Sequence, residues 1–413
     1  MMSASGLGAR RRTGLRPARV GLFGQFGSGN IGNDASLEAV LRFFAAAHPD
    51  VAVDVMCGGP RNIQDRHHVS ATPLLWYAGT ASGIMAGVLK ALVKVADSVR
   101  IVGWVRRHDV VIIPGMGVFE GSLPAPPWSE PLRLFLVSLS GRVFGTKVGY
   151  VSVGADAVTK RPTRWLFTQA ARLATYCSCR DSKSRDVLGG WGIDISSVPV
   201  YPDLAFALPV PPPQLGDPKI VCVGVMDYHG GDDADGTEGT NIRDAYICEI
   251  ELFISKILRA GRDVRLVVGD ANGSDDAVVQ EIMEDVQRRV PGLDRGRLVA
   301  WPAVSLTDIF GAMTSAGSVV AIRFHNVVAS LMLGKPTIAI SYGSKHDSLM
   351  EDWGLTEFCT PVKMLDHEHL AALFTELSDG ASQLRDILTE RKAASELLLA
   401  EQFARISQTL ITA

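Results

Sequence analysis

Two clusters of polar side chains stand close together late in the chain, each behind an apolar run. Residues 317–322 are apolar and lead into Arg323 and His325. Residues 337–340 are apolar and lead into Tyr342 and Lys345, with Gly334 and Pro336 in the turn between. Such runs read as buried strands of a parallel sheet, and open α/β sheets bind ligands at the carboxyl ends of their strands. Two cations and an imidazole directed at one point suit a small, multiply charged anion. His325 is the candidate acid, because an imidazole with a pKa of about 6.5 both gives and takes a proton near neutrality. The competing reading is a capping or packing histidine. His346 reads as a surface residue.

Other residues bear on the same site. Arg180 follows the apolar run 176–179 and is suited to hold a carboxylate or phosphate bidentately; an ion pair with Asp181 or Asp203 is the alternative, and Asp203 reads as a structural partner of Arg180. Gly27-Ser28-Gly29-Asn30-Ile31-Gly32 has the G-x-G-x-x-G spacing between a strand and a helix, with Asp50 and Asp54 downstream. That turn serves a dinucleotide, but equally any phosphate or sugar at a helix N-terminus, and Asn30 and Asn33 also fit capping. A cleft-lining turn is the reading adopted. The loop 227–240 is acidic and glycine-rich without calcium-loop spacing, and reads as a mobile lip of the cleft. No metal site is expected, since His67-His68 has only Asp65 as a nearby carboxylate and no adjoining thiol.

These groups need a scaffold. Strand-like runs at 19–23, 51–56, 109–113, 147–153 and 176–179 alternate with helical ones at 34–47, 161–174 and 182–188, which implies a mostly parallel sheet. Five prolines between 207 and 218 mark a linker. The pattern then restarts, with strands at 219–225 and 264–268, helices at 246–260, 277–290 and 306–312, and the two ligand-bearing strands. Residues 367–412 are helical. The expected fold is α/β: a Rossmann-like domain over 19–206, a second over 219–365, C-terminal helices over 366–413, and a cleft between the domains. Residues 1–18 form a basic leader, expected to be disordered.

Composition sets outer limits. The chain has 413 residues, 47% hydrophobic and 21% charged, as a soluble two-domain protein would. A net charge of -3 argues against a nucleic-acid binder. The six scattered cysteines read as reduced, in a cytoplasmic protein. Residues 79–104 are apolar at helical spacing, interrupted by Lys90, Lys94, Asp97 and Arg100 and followed by Arg106 and Arg107. A helix packed on its own domain is the first reading; peripheral membrane contact through 79–107, at the inner face of the plasma membrane, is the second.

Asn30-Ile31-Gly32, Pro114-Gly115-Met116-Gly117, Arg180-Asp181 with Ser184, Pro202-Asp203-Leu204-Ala205-Phe206, Arg323-x-His325 and Gly334-x-Pro336 with Tyr342 and Lys345 occur in this order between about 20 and 355. Together they resemble the polysaccharide pyruvyl transferase family. Two positions depart from its pattern: Asn33 stands where members often carry Asp, and Met116 interrupts a glycine run. The resemblance implies two Rossmann-like domains of the GT-B kind. It also implies transfer of the pyruvyl group of phosphoenolpyruvate onto two hydroxyls of a sugar in a polysaccharide, glycolipid or lipid-linked glycan, giving a cyclic ketal and phosphate. His325 would be the acid, Arg180 and Lys345 would hold phosphoenolpyruvate with Arg323 beside them, and Gly29, Asn30, Gly32, Asn33, Gly115, Gly117 and Tyr342 would line the acceptor side. No cofactor is implied beyond this co-substrate. A nucleotide-sugar glycosyltransferase and a non-catalytic glycan-binding protein are the alternatives.

Overall fold

A computed structural model describes residues 18–76, 84–120, 126–230, 236–270 and 274–412. The leader up to residue 17, the start of the 79–104 segment and the centre of the 227–240 loop lie outside the described residues. The first half runs β1 (Arg19–Gly24), α1 (Ile31–Ala47), β2 (Ala52–Cys57), α2 (Pro60–His67), β3 (Ser70–Pro73), α3 (Ile84–Val105), β4 (Val110–Pro114), α4 (Glu130–Phe144), β5 (Lys147–Val153), α5 (Arg161–Leu173), β6 (Tyr176–Cys179) and α6 (Ser182–Gly190). The second runs β7 (Asp217–Gly224), α7 (Gly236–Arg259), β8 (Asp263–Val267), α8 (Ser274–Arg289), β9 (Leu298–Trp301), α9 (Leu306–Thr314), β10 (Ala316–Ala321), α10 (Phe324–Met332), β11 (Thr337–Ser341), α11 (Ser344–Asp352), β12 (Cys359–Pro361), α12 (His367–Asp379) and α13 (Ala381–Ile406).

Two parallel six-stranded sheets result, ordered β3-β2-β1-β4-β5-β6 and β12-β11-β10-β7-β8-β9. Each has the doubly wound order whose central reversal creates a ligand crevice. The strands are short β-branched runs such as Val110-Val111-Ile112-Ile113, buried on both faces. Pro218 lies inside β7, a central strand, where the ladder to β10 shifts register between Ala316 and Ser318; such an irregularity accommodates a residue without an N–H.

Helices α3, α4 and α5 share one core with the first sheet, built on Phe23, Ile101, Trp104, Leu134, Val137 and Phe167. Gly21 makes room for this packing, since a Cβ there would lie 2.4 Å from the Trp104 ring. Trp104 Nε1 donates to Asp54 at 3.0 Å, and His108 Nε2 lies 3.5 Å from the same carboxylate. Asp54 is therefore engaged beneath α3, with no ribose role to play.

The C-terminal helices, read as one run from the sequence, are divided at Gly380. The second, α13, returns to the first domain. The Tyr201 hydroxyl donates to Glu401 at 2.7 Å, and Phe403 stacks on Phe43 at 4.6 Å. Gln402 is fully buried; its amide donates to Ser178 Oγ at 2.9 Å and accepts from Ser152 Oγ at 3.1 Å. Ser152 has a positive φ of 49° at the irregularity between β5 and β6, so Gln402 braces a bend in the sheet. Gln402→Leu should leave the buried Ser152 hydroxyl without its partner, since Ser178 Oγ still accepts from Ser152 N, and cost about 1–3 kcal/mol, read as a lower denaturant midpoint; an unchanged midpoint would show that α13 contributes no brace.

Candidate active site

A cavity of ≈ 420 Å³ opens between the carboxyl ends of the two sheets. The first domain supplies Gln25, Ser28, Asn30 and Asn33 after β1, Met116, Gly117 and Glu120 after β4, and Arg180 after β6. The second supplies Gly269 after β8, Arg323, Phe324 and His325 after β10, and Tyr342 and Lys345 after β11. The domains touch at this point. Asn30 and Asp270 form an isolated antiparallel bridge, and a Cβ on Gly32 would lie 1.8 Å from the His325 ring. Gly32 is the gap that admits the imidazole against the first turn of α1. Asn30 caps that helix through Asn33 N at 3.0 Å, and Asp34 accepts from Gly27 N at 2.7 Å, which fixes the glycine turn.

Arg180 is buried. Its Nη2 donates to Glu120 Oε1 at 2.5 Å, its Nε lies 3.5 Å from Asp181, and its guanidinium lies over the Phe324 ring at 5.1 Å. Burial alone would raise the Glu120 carboxyl, but Arg180 and then Lys345 overcome it and hold Glu120 below the ordinary carboxylate range. Asp203 Oδ1 accepts from Ala205 N at 2.9 Å. Its Oδ2 lies 4.0 Å from Arg180 Nη1 and 3.9 Å from His325 Nε2, so one carboxylate faces both groups. Burial pushes His325 down to about 4; Asp203 opposes the shift, while Arg180 and Lys345 add to it. At neutral pH the imidazole is therefore neutral before a ligand arrives.

Lys345 is held by aromatic faces, its ammonium 5.0 Å from the Tyr342 ring centre and 5.8 Å from that of Phe324. Among the described residues no carboxylate pairs with it within 4.0 Å. Arg323 differs. Its Nε and Nη2 donate to the two oxygens of Asp275 at 2.8 and 2.7 Å, so its fork is already filled although its side chain lines the cavity. It also serves as the N-cap residue of α10. Neither α10 nor α11 has a side-chain cap, and both start at the cavity. Their N-terminal amides and dipoles add two positively polarised ends to Arg180 and Lys345.

A family model for polysaccharide pyruvyl transferase matches residues 30–344. The chain belongs to the polysaccharide pyruvyl transferase family. No curated protein matches it. Among solved structures it is similar to the UDP-GlcNAc 2-epimerase of Neisseria meningitidis bound to UDP-GlcNAc, with a TM-score of 0.62 and 10% identity over 96% of this chain and 100% of that one. It is likewise similar to the UDP-GlcNAc 2-epimerase of Methanocaldococcus jannaschii (TM-score 0.57, 8% identity, 87% and 92% covered). A glycosyltransferase of Rickettsia africae gives a TM-score of 0.58 at 10% identity, with 97% and 100% covered. Likeness at such identities concerns the fold alone, which is GT-B-like.

Within this pyruvyl transferase, Arg180 and His325 fall inside the matched span and Lys345 one position beyond it. Asn30, Asn33, Gly117 and Tyr342 line the cavity, while Gly29, Gly32 and Gly115 are not among its lining residues. Gly29 and Gly115 have φ of 99° and 58°, and Gly115 packs on Ser36. The lip expected over 227–240 is helical from Gly236, and Asp227 is bound by Arg243 at 2.7 Å. Among the described residues one group could reach a single metal ion, Glu249, Asp366 and His367, and none of the three lines the cavity.

Two residues escaped sequence reasoning. Glu120 sits in a turn with no periodicity to announce it; its one signal is the glycine at 117, where a Cβ would lie 2.2 Å from the Glu120 carboxyl. His346 is fully buried rather than on the surface. It is bonded through Nε2 to the Ile322 carbonyl at 2.8 Å and packed on Tyr342 at 4.6 Å. Burial pushes it down to about 3.

Both depressed imidazoles couple folding to pH. The unfolded chain takes up their protons below about pH 6.5 while the folded chain refuses them. Their stabilisation is therefore complete above that pH and is lost as pH falls toward 4 for His325 and 3 for His346. Denaturant titrations of His346→Gln should lose stability between about pH 6 and pH 5 more gently than the parent, by up to about 1.4 kcal/mol per unit. Equal slopes would mean that His346 is not held neutral.

Proposed function

We propose that this polysaccharide pyruvyl transferase takes phosphoenolpyruvate as donor and builds a cyclic ketal on two hydroxyls of a sugar. One observation carries the reading: Arg180, Lys345 and two uncapped helix N-termini surround one imidazole in a cavity of ligand size. That arrangement suits a donor bearing both a carboxylate and a phosphate. Lys345 offers a point charge with no carboxylate within 4.0 Å among the described residues, and Arg180 a guanidinium whose Nη2 is taken by Glu120 while its Nε has no hydrogen-bond partner.

In the proposed reaction, protonated His325 gives its proton to C3 of the enol, and C2 becomes electrophilic. The first sugar hydroxyl attacks C2, a C–O bond forms, and its proton passes to Glu120, which Arg180 keeps ionised. The C2–O bond to phosphate then breaks with both electrons leaving on phosphate. The second hydroxyl closes the ring on C2 and returns a proton to His325, while the Glu120 proton departs with phosphate. The reaction is redox-neutral, and we propose no cofactor beyond the co-substrate. Arg180, Lys345 and the helix ends stabilise the charge that develops on phosphate. Among the described residues no helix is long and apolar enough to cross a membrane; a lipid-linked acceptor would instead be met at the cytoplasmic face of a bilayer.

Phosphate release should require both phosphoenolpyruvate and a sugar diol, and mass spectrometry should find the pyruvyl ketal on the acceptor. His325→Ala should lower turnover by roughly 10²–10⁴-fold, the usual contribution of a general acid. Near-normal turnover would remove His325 from this role. Binding of a uridine or guanosine nucleotide-sugar, with indifference to phosphoenolpyruvate, would favour a glycosyltransferase.

Burial, Arg180 and Lys345 hold His325 neutral, so an anionic donor must recharge it. Donor binding offsets Arg180 and Lys345 and raises the imidazole from about 4. Calorimetry in buffers of different ionisation enthalpy should show proton uptake near neutral pH, diminished in His325→Ala, with affinity rising as pH falls. Proton release, or uptake identical in the variant, would contradict this coupling.

A further inference from the structure

The outer surface of α3, α4 and α5 is apolar where solvated helices are polar. Leu92, Val95 and Val99 follow at helical spacing on α3, and with Val143 on α4 they are 62–66% exposed. Phe144 on α4 and Trp165 on α5 are exposed too. Contacts join the three helices into one face: the Arg106 guanidinium lies 5.5 Å from the Phe144 ring, and Phe135 of α4 meets Trp165 of α5 at 5.6 Å. Single exposed apolar residues are ordinary; a contiguous apolar face marks an interaction surface.

Charge says what kind. Among the described side chains, every exposed charge on these helices or within two residues of the end of α3 is cationic, including Lys94, Arg106, Arg107, Arg142, Arg161 and Arg164. The acids present are withdrawn: Asp97 is buried and paired with Arg100 at 3.0 Å, and half-buried Glu130 is paired with Arg133 at 3.0 Å. The chain as a whole is at -3, so this single-sign face runs against its own average. Protein interfaces are depleted of charge at their core, whereas apolar side chains fringed by cations of one sign match an anionic bilayer.

We infer that the α3–α5 face docks on an anionic lipid bilayer, its aliphatic and aromatic side chains entering the acyl boundary and its cations facing phosphodiester headgroups. The consequence for the acceptor rests on the proposed pyruvyl transfer. Glu130 and Leu134, at the start of α4, line the catalytic cavity. The helix that touches lipid at one end thus reaches the acceptor at the other, and the acceptor class is a lipid-linked glycan.

The full chain should co-sediment with vesicles containing phosphatidylglycerol and only weakly with phosphatidylcholine alone, with binding reduced by salt. Arg106→Glu with Arg107→Glu should weaken it more than about tenfold, and Val99→Ser with Val143→Ser should also weaken it. Both pairs should keep the parent's melting temperature and its turnover on a soluble glycoside. Absence of vesicle binding, equal binding to both lipids, or concentration-dependent self-association relieved by the serine pair would each overturn the inference. Vesicle binding is read without turnover, so failure of the pyruvyl transfer reading shows separately, as an inactive protein that still binds vesicles.

Discussion

A guanidinium taken out of water must find its charge balance inside the protein, and Arg180 sets that constraint here. Glu120 answers it directly, Asp181 and Asp203 from further off, and the Phe324 face covers what remains. Each partner has a second duty. Asp181 caps α6 through Ser184 N at 2.6 Å, and Asp203 opens the short turn before the linker. Glycines shape the space around the pair: a Cβ on Gly154 would lie 2.6 Å from Arg180 Nη2. The end of β6, the turn after β4 and the exit from the first domain are thus tied to one charge.

The second constraint is the seam between domains. His325 reaches the first domain only because Gly32 has no side chain, and the second domain is held close by α13 returning across the first sheet. The imidazole is half-buried by this contact, and its removal from water is the largest cause of its neutrality. Contact across the seam and the neutrality of His325 thus go together.

Much of this was legible in the sequence because strands in a parallel sheet announce themselves as apolar runs, and a polar residue just past such a run sits at the ligand edge. Arg180, Arg323, His325 and Lys345 each follow such a run, and all four line the cavity. What remained hidden depended on tertiary pairing. Arg323 has the same local pattern as Arg180, but its fork is taken by Asp275, 48 positions away. His346 follows Lys345 directly, yet it turns into the core beneath Tyr342. Trp104 and Asp54 meet under α3 through a glycine in β1, which no spacing along the chain reveals. The run 246–260 was seen as helix, while the turns that precede Tyr246 carry glycine and acids and hid the earlier start at Gly236.

Helix α4 shows why a sequence can be opaque for a functional reason. Its residues Pro131-Leu132-Arg133-Leu134-Phe135-Leu136-Val137-Ser138-Leu139 and Val143-Phe144 give no single apolar face, because two faces are apolar. Leu134 and Val137 bury against the sheet, while Val143 and Phe144 are left in the open. Amphipathic periodicity presumes that one side of a helix meets water. A helix that packs on its own domain and also meets a hydrocarbon boundary breaks that presumption, and the loss of period is the expected trace. On the reading proposed here, the same feature that conceals α4 from pattern analysis places the start of that helix, with Glu130, beside the acceptor's path into the cavity.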